Sequence, residues 1–232
     1  MAVCIIPARG GSKRIPRKNI RLFQGEPLLG HTIKKVAGAA CFDHIIVSTD
    51  DSEIADVASK FGAKTPFTRP AELADDFSTT KQVMAHAFDQ LSALGLSSDE
   101  VCCVYPTAIF LQTDDLLEGL RQFRTNQWQC VMAAATFSTP VQRSFTRDVD
   151  GGMAMLFEEK FTSRSQDLVP HYYDAGQFYW ATEALWRSEL PLFNAKSTFV
   201  TIPEWASCDL DNEADWLEME IKARVLMEKG ML

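Results

Sequence analysis

Short apolar runs alternate along this chain with segments in which apolar residues return every three or four positions. The runs predict buried strands, and they occupy residues 3–6, 44–49, 101–105, 130–135, 177–181 and 198–202. Helical spacing follows at 29–40, 54–61, 79–94 and 114–124, and in a last segment where Trp216, Met219, Ala223 and Leu226 share one face. We expect Gly62 to end the second helix and Thr113 to cap the fourth. Such alternation is typical of an α/β fold with a mostly parallel sheet covered on both faces.

The alternation lapses in one stretch, between Phe137 and Tyr173. Charges are mixed there, Asp150–Gly152 predicts a turn, and two short strand-like pieces flank that turn. The rest of the sequence shows neither a linker nor an internal repeat. We therefore predict one domain over residues 1–232, with an inserted arm at about 137–173 that serves as a lid or in dimerisation.

The first predicted strand runs through Pro7 into a loop rich in glycine and cations. Proline ends the strand by removing a backbone donor, and Gly10 and Gly11 let backbone amides approach a ligand closely. The chain has a formal net charge of -8, yet six cations precede its first acidic residue, Glu26. Local basicity on an acidic chain indicates a focused anion site, and a nucleoside triphosphate suits it. The charge would come from Arg9, Lys13, Arg17 and Lys18.

Two other interpretations of this loop stay open, a solvated basic loop and a nucleic-acid contact. A nucleic-acid groove usually spreads its basic residues over a longer face and raises the isoelectric point, which is near 5.0 here. The loop matches neither the P-loop spacing nor the dinucleotide fingerprint. Its place at the carboxyl end of a strand, where open α/β sheets bind ligands, favours a small phosphorylated ligand.

A second candidate site is Asp209-Leu210-Asp211, between the last predicted strand and the last helix. Residues i and i+2 of an extended segment face the same side, so the two carboxylates are placed to share one hard cation such as Mg²⁺. The alternative is that Asp211 or Asn212 caps the helix while Asp209 is solvated. Asp215, one turn on, would hold a metal-bound water or complement the helix N-terminus.

Four further segments with polar side chains are candidates for contacts with a ligand. Arg69–Pro70 with Asp76–Thr79 would contact a base or ribose, or else supply a turn and an N-cap at Ser78 or Thr79. Tyr105–Thr107 ends a central strand on the ligand side of the sheet, so its side chains are expected to face the crevice. Two segments mix aromatic and polar side chains, which suits either a sugar acid or a dimer interface, namely Arg164–Asp167 and Tyr172–Gln177.

Cysteine usage and hydropathy favour a cytoplasmic protein without a membrane segment. No apolar run approaches the ~18 to 20 residues that a membrane span needs. The six cysteines form no C-x-x-C pair, and several lie inside apolar strands, as reduced core thiols do. The histidines are scattered, and the serines lack a G-x-S-x-G elbow.

Four segments in order along nearly the whole chain resemble the CMP-sugar-acid synthetases (acylneuraminate cytidylyltransferases). They are Ile6–Lys13 with Lys18–Asn19, Ile46–Asp50, Arg69–Pro70 with Leu73 and Asp76, and Asp209–Asp211. Within that family, the branch acting on pseudaminic acid is the most similar at Lys13–Pro16, Tyr105–Ala108, Arg164–Asp167 and Asp174–Trp180. The sialic acid enzymes typically carry Gln where Tyr105 stands and Asn-Gly where Asp174 and Ala175 stand, so the sugar pocket is expected to differ.

The resemblance implies a Rossmann-like sheet of the nucleotide-diphospho-sugar transferase type, and a homodimer whose arm reaches the partner's active site. It implies CTP and a nine-carbon sugar acid as substrates and Mg²⁺ as cofactor, with no nucleic acid or membrane partner. The reaction would be transfer of CMP to the anomeric hydroxyl of pseudaminic acid with release of pyrophosphate. Alternatives are the same reaction on sialic acid, legionaminic acid or 3-deoxy-manno-octulosonate, or a non-catalytic nucleotide-binding module.

Residue roles carry over from the resemblance by position. Nucleotide contacts are expected from Ala8, Arg9, Gly10, Gly11, Ser12, Lys13, Asn19, Arg69 and Ser78. The sugar contacts would be Tyr105, Gln166, Asp174 and Gln177, and the metal ligands Asp209 and Asp211. Arg9 and Lys18 would be catalytic because they neutralise charge on the reacting phosphates, and Asp211 because it would hold the metal ion that does the same. The hydroxyl proton would leave through a metal-lowered pKa or to a nearby carboxylate.

Overall fold

The computed structural model describes residues 1–231 and has a six-stranded sheet at its centre. In spatial order the strands are Ser197–Ile202 (β10), Cys130–Thr136 (β6), Tyr172–Ala181 (β9), Glu100–Val104 (β5), Ala2–Pro7 (β1) and His44–Ser48 (β4). Neighbouring strands pair in parallel except at β9, which is antiparallel to both β5 and β6. The predicted mostly parallel sheet is confirmed, and one antiparallel strand lies inside it.

Six α-helices cover both faces of this sheet. They are Leu28–Gly38 (α1), Ser52–Lys60 (α2), Thr80–Ala93 (α3), Thr113–Phe123 (α4), Glu183–Arg187 (α5) and Glu213–Glu228 (α6). Side chains of β1 alternate between two cores, because Cys4 and Ile6 pack with α1, α2, α4 and α6, while Val3 and Ile5 pack with α3 and α5. This two-sided burial is why the strands read as continuous apolar runs.

Helix ends differ from the sequence prediction in two places. The first helix ends at Gly38, and Ala40 leaves the predicted apolar stripe because its φ is +51° and its side chain is exposed. Thr113 is the first residue of α4 rather than its cap, and the cap position is held by Gln112. Gly62 follows α2 with a φ of +90°, which confirms the predicted helix end. The face of α6 predicted from Trp216, Met219, Ala223 and Leu226 is buried as expected.

The predicted arm contains a small hairpin of Phe145–Arg147 (β7) and Met153–Met155 (β8). A second short hairpin, Leu22–Phe23 (β2) with Glu26–Pro27 (β3), follows the basic loop. Strand β9 begins at Tyr172 rather than at the predicted 177. Its pairing with β6 is interrupted by a bulge at residues 175–178, where Gly176 has a φ of +63°. The bulge breaks the alternation of side chains, which hid the first half of this strand in the sequence.

Within residues 1–231, none of the helices combines the length and the apolar character needed to cross a bilayer. All six cysteines are free thiols, as expected, and four of them lie buried in strands β1, β5 and β6.

Candidate active site

The basic loop begins where β1 ends, next to the end of β4. The Ala8 amide donates to the Ser48 carbonyl at 2.9 Å, so β1 stays bonded to β4 one residue past Pro7. The Gly10 amide donates to Asp50 Oδ1 at 3.0 Å, and a Cβ added to Gly10 would lie 2.6 Å from Asp51 Oδ2. Glycine is therefore required here for close approach to carboxylates of the protein itself. We expected this amide to face a phosphate, but in the structure it binds Asp50.

A cleft of about 280 Å³ opens at the carboxyl ends of β1 and β5. It brings the basic loop together with residues from distant parts of the chain, as the positions of ligand sites in open α/β sheets predict. Of the residues predicted from the sequence, the cleft is lined by Arg9, Ser12, Lys13, Lys18, Asn19, Arg69, Ser78, Tyr105, Asp209 and Asp211. Neither Ala8, Gly10 nor Gly11 contributes to its lining.

Several lining residues were not assigned a role from the sequence. These are Arg14, Ile15, Thr80 and Val83, whereas Pro106 and Thr107 line the cleft as expected. The position of Arg14, beside Lys13 in the cation run, was a usable signal. Arg17 was wrongly expected to face the ligand. It adopts a φ of +54°, and its guanidinium instead pairs with Asp51 and Glu53 near the N-terminus of α2.

Three cations of the cleft are paired with carboxylates. Arg9 and Lys13 both bind Asp76, at 2.8 and 2.6 Å, and Arg14 lies 2.7 Å from Asp211. The hydrogen bond from Lys13 is the main reason why the pKa of Asp76 is lowered. These pairs are largely solvent-exposed, so a triphosphate can displace them at small cost.

Lys18 connects the basic loop to the acidic segment. Its Nζ donates to the Leu210 carbonyl at 2.6 Å, 192 residues further along the chain. Burial lowers the pKa of Lys18, while Asp211 and Asp209 act in the opposite direction. Lys18 thus lies between the two halves of the cleft, with carboxylates that favour its charged form.

The side chains of Asp209 and Asp211, the two candidate metal ligands, do not cap the N-terminus of α6. Asn212 Oδ1 accepts from the amides of Ala214 and Asp215, and Asp215 Oδ2 accepts from those of Asp211 and Asn212. Of the alternatives left by the sequence, Asn212 is the cap, and Asp215 complements the helix N-terminus. The carboxylates of Asp209 and Asp211 remain on the cleft.

Residues 1–231 contain no cluster of three or more His, Cys, Asp or Glu side chains that would hold a metal ion by themselves. Mg²⁺ is usually held by one or two carboxylates together with waters and substrate phosphates. Asp209 and Asp211, on the wall of a cleft rich in cations, fit that description. The Arg14 ion pair with Asp211 would have to open for the metal to bind.

Three residues predicted to bind cytidine lie on the cleft wall. The Asn19 side-chain amide donates to the Arg9 carbonyl at 2.9 Å. Arg69 is only 4% exposed, donates to the backbone and side chain of Ser48, and has its pKa lowered to about 10 by burial. Ser78 donates to Asp75 at 2.7 Å, whereas Thr79 caps α3 in a capping box with Gln82. Thr79 is therefore the cap of the two that the sequence allowed.

Tyr105 links the cleft to a neighbouring cavity. Its hydroxyl lies 3.0 Å from Thr80 Oγ1, and its ring packs on Tyr179 with centroids 5.3 Å apart. Tyr179 in turn donates to both carboxylate oxygens of Asp174, at 2.7 and 2.8 Å. Asp174 lines a second cavity of about 370 Å³ whose other walls include Tyr172, Tyr173, Phe193 and Phe199. Burial raises the pKa of Tyr105 to about 12 and raises that of Tyr179 as well.

The structure does not bring two of the predicted sugar contacts to either cavity. Gln177 is 2% exposed, and its amide donates to the Ala206 carbonyl at 2.6 Å behind the cleft wall. Gln166 is exposed in a short 3-10 turn, Ser165–Asp167, within the arm.

The sequence model of the Cytidylyltransferase family matches residues 3–179, which include the basic loop, Arg69 and Tyr105. The chain belongs to the cytidylyltransferase family. A pseudaminic acid cytidylyltransferase of Campylobacter jejuni is 41% identical over 213 residues, which are 92% of each chain. A CMP-N,N'-diacetyllegionaminic acid synthase of Legionella pneumophila is 29% identical and also covers 92% of each chain.

A solved structure of CMP:2-keto-3-deoxy-manno-octonic acid synthetase complexed with CTP has the same fold as this cytidylyltransferase. Its TM-score is 0.69 at 17% identity, over 98% of this chain and 99% of that one. The Rossmann-like fold class expected from the resemblance is thereby confirmed. The family match ends at Tyr179, so the placement of Asp209 and Asp211 in the cleft rests on the geometry described above.

Proposed function

We propose that this cytidylyltransferase transfers CMP from CTP to the anomeric hydroxyl of pseudaminic acid and releases pyrophosphate. One observation carries the reaction type: Lys18 and Asp211, far apart in sequence, line the same cleft beside Arg9. Cations opposite a pair of carboxylates suit a metal-bound triphosphate. The Campylobacter relative, 41% identical over 92% of each chain, supports pseudaminic acid as the acceptor.

In the proposed reaction, the anomeric oxygen forms a bond to the α-phosphorus as the bond from that phosphorus to the bridging oxygen breaks. The electron pair of the broken bond leaves with pyrophosphate, and the hydroxyl proton passes to solvent or to a carboxylate of the cleft. Arg9, Lys13 and Lys18 would hold the triphosphate and offset the charge on the leaving oxygens. Asn19, Arg69 and Ser78, which also line the cleft, would hold the cytidine.

We propose Mg²⁺ as the cofactor, held by Asp209 and Asp211. When bound, it supplies charge neutralisation and polarises the phosphorus under attack. The carboxylates suit it because they are oxygen ligands on the wall that faces the triphosphate cations. Asp215 contributes by binding the amide of Asp211, which orients that segment.

The sugar acid would lie across Tyr105 towards the second cavity. Tyr105 belongs to the cleft, and Asp174 belongs to the neighbouring cavity with its aromatic walls. The Tyr105–Tyr179 contact joins the two. The anomeric end of the sugar acid would point towards the triphosphate. Gln166 lines neither cavity, so it would contact a sugar only if the arm itself lay beside the site.

A substrate panel tests the acceptor. Purified protein is incubated with CTP, Mg²⁺ and pseudaminic, legionaminic or sialic acid, and pyrophosphate release is measured, with Asp211→Asn as the inactive control. We expect the highest kcat/KM with pseudaminic acid. Faster pyrophosphate release with legionaminic acid would refute pseudaminic acid as the preferred acceptor. That acid is included because the Legionella relative is named a CMP-N,N'-diacetyllegionaminic acid synthase. CTP binding without turnover on any acid would support the non-catalytic module.

We also propose a homodimer that forms through the arm. The β7–β8 hairpin exposes Phe145 and Met153, and nearby Phe161 is exposed as well. A two-stranded hairpin with both faces open is only marginally stable in water, and exposed apolar clusters are typical of interfaces. Sedimentation should show a dimer that Phe145→Asp with Met153→Asp dissociates, whereas Leu94→Asp, an exposed site on another element, should not. A monomeric wild type would refute the dimer.

We place the enzyme in the cytoplasm. The free thiols at Cys4, Cys102, Cys103 and Cys130, buried in strands, support a reducing compartment. Fractionation of the producing cell with an antibody against the chain tests this, and recovery outside the cytoplasmic fraction would contradict it.

A further inference from the structure

The acidic segment at residues 207–211 has no regular secondary structure, so neither a sheet ladder nor a helix fixes its backbone. Side chains from three other elements bind two of its carbonyls and that of Ala206, the last residue of the 3-10 turn Glu204–Ala206 that precedes it. Gln177 of β9 binds the carbonyl of Ala206 at 2.6 Å, Lys222 of α6 binds that of Ser207 at 3.0 Å, and Lys18 of the basic loop binds that of Leu210 at 2.6 Å. The positions of Asp209 and Asp211 therefore depend on these donors.

Gln177 differs from the two lysines in being almost fully buried. It is 2% exposed, and its Oε1 is buried without a hydrogen-bond partner in the described chain. An apolar side chain of similar size would avoid that unsatisfied oxygen, so packing does not explain a glutamine here. What the glutamine adds is a single donor to Ala206.

The backbone of Gln177 is bonded to the opposite wall of the cleft. Its carbonyl accepts from the Tyr105 amide at 2.9 Å, one residue beyond the pairing of Val104 with Phe178. Gln177 therefore binds Tyr105 through its backbone carbonyl, and it binds Ala206, just before the acidic segment, through its side chain. The bulge at 175–178 in β9 frees this stretch from pairing with β6.

We propose that Gln177 is a positioning residue for the metal-binding carboxylates and not a contact of the sugar. Its amide holds Ala206, and through Ala206 it sets where Asp209 and Asp211 lie relative to Tyr105. The proposal rests on the proposed metal site. Residues that orient metal ligands without touching the metal typically contribute about 10- to 100-fold to metal affinity.

The test compares Gln177→Met with Gln142→Met in the full-length protein. Met has a similar length and volume but no donor. Gln142 is a matched control, because it is also buried, donates to a carbonyl, that of Val169 at 2.9 Å, and leaves its Oε1 unpartnered within residues 1–231. Mn²⁺ binding to the protein–CTP complex is measured by electron paramagnetic resonance without sugar, and CTP binding is measured by calorimetry in a chelator.

We expect Gln177→Met to weaken Mn²⁺ binding about tenfold or more while metal-free CTP binding changes less than about twofold. The control should change neither quantity. Wild-type Mn²⁺ affinity in Gln177→Met would overturn the proposal, and so would an equal loss of Mn²⁺ and metal-free CTP binding. An equal loss in the control would overturn it as well.

Two further variants keep the outcome clear. If Gln177→Met does not fold, Gln177→Asn, whose amide is one methylene too short to reach Ala206, is judged by the same criteria. Asp209→Asn separates this proposal from the proposed function. If Asp209→Asn keeps Mn²⁺ affinity, the metal site is wrong, and if it loses affinity while Gln177→Met keeps it, only the role of Gln177 is wrong.

Discussion

The guanidinium of Arg14 lies 2.7 Å from the carboxylate of Asp211, so in the free protein a proposed metal ligand is paired with a cation of the basic loop. The pair joins residues 197 positions apart in the sequence, since 211 minus 14 is 197. Their side chains are 69% and 44% exposed, which makes the pair weak and exchangeable. Loading of CTP and metal would replace it with two stronger partners, phosphate for Arg14 and the metal for Asp211.

Arg14→Gln should therefore tighten Mn²⁺ binding to the free protein and weaken CTP binding. Removing an exposed ion pair makes metal binding to the carboxylate more favourable by at most about 1 kcal/mol, which is about fivefold in Mn²⁺ affinity. Calorimetry of Mn²⁺ and of CTP, each alone, measures the two effects. An equal weakening of both would show that Arg14 supports the fold of the cleft and does not compete with the metal.

Asp211→Asn should lose metal-dependent turnover by about 10²- to 10³-fold with the fold retained, because it removes a ligand of the metal ion that would neutralise charge on the reacting phosphates. Circular dichroism checks the fold, and pyrophosphate release checks the rate. Glu213→Gln is the control, since Glu213 lies two residues away and pairs with Arg21. Near-wild-type turnover in Asp211→Asn would remove this residue from the site.

Asn212→Ala should lower stability and leave turnover within about twofold. The Asn212 side chain caps α6 through Ala214 and Asp215, and losing such a cap costs about 1 kcal/mol. For a chain of this size that corresponds to roughly 2–4 °C in melting temperature. Thermal melting and a rate assay measure the two quantities. If Asn212→Ala lost as much turnover as Asp211→Asn, loss of the helix cap would explain the effect of both variants.

Tyr179→Phe should raise the KM for the sugar acid about fivefold without changing the KM for CTP. The variant keeps the ring against Tyr105 but removes the hydroxyl that binds Asp174, a hydrogen bond worth about 1 kcal/mol. Steady-state kinetics with each substrate varied in turn separates the two constants. An increase confined to the KM for CTP would place Tyr179 with the nucleotide.

The kcat/KM for CTP should fall at alkaline pH, beginning below the range of an ordinary lysine, because burial lowers the pKa of Lys18 and only its charged form neutralises phosphate. Burial disfavours that charged form, so deprotonation of Lys18 relieves a cost and does not unfold the protein. Tyr105, with a pKa of about 12, stays protonated over this range. In Lys18→Arg the fall should move to higher pH, and an unchanged profile would assign it to another group.

The layered α/β fold and the basic half of the cleft follow from local patterns in the sequence. Strands such as β1 carry their own signal, because burial on both faces makes them uniformly apolar. Arg9, Lys13 and Lys18 were predictable because they follow such a strand directly, at the edge where these sheets bind ligands. Asp209 and Asp211 followed from their i, i+2 spacing before a helix.

Which side chains face the cleft depends on tertiary packing. Arg17 and Arg14 are equivalent in the sequence, yet backbone conformation turns Arg17 to Asp51 and leaves Arg14 beside Asp211. Gln177 stands between Gly176 and Phe178, and its burial follows from the bulge in β9 and from the contact with Ala206, 29 positions further along the chain. Sequence patterns report local periodicity, whereas these contacts join residues many positions apart, and only packing of the whole chain fixes them.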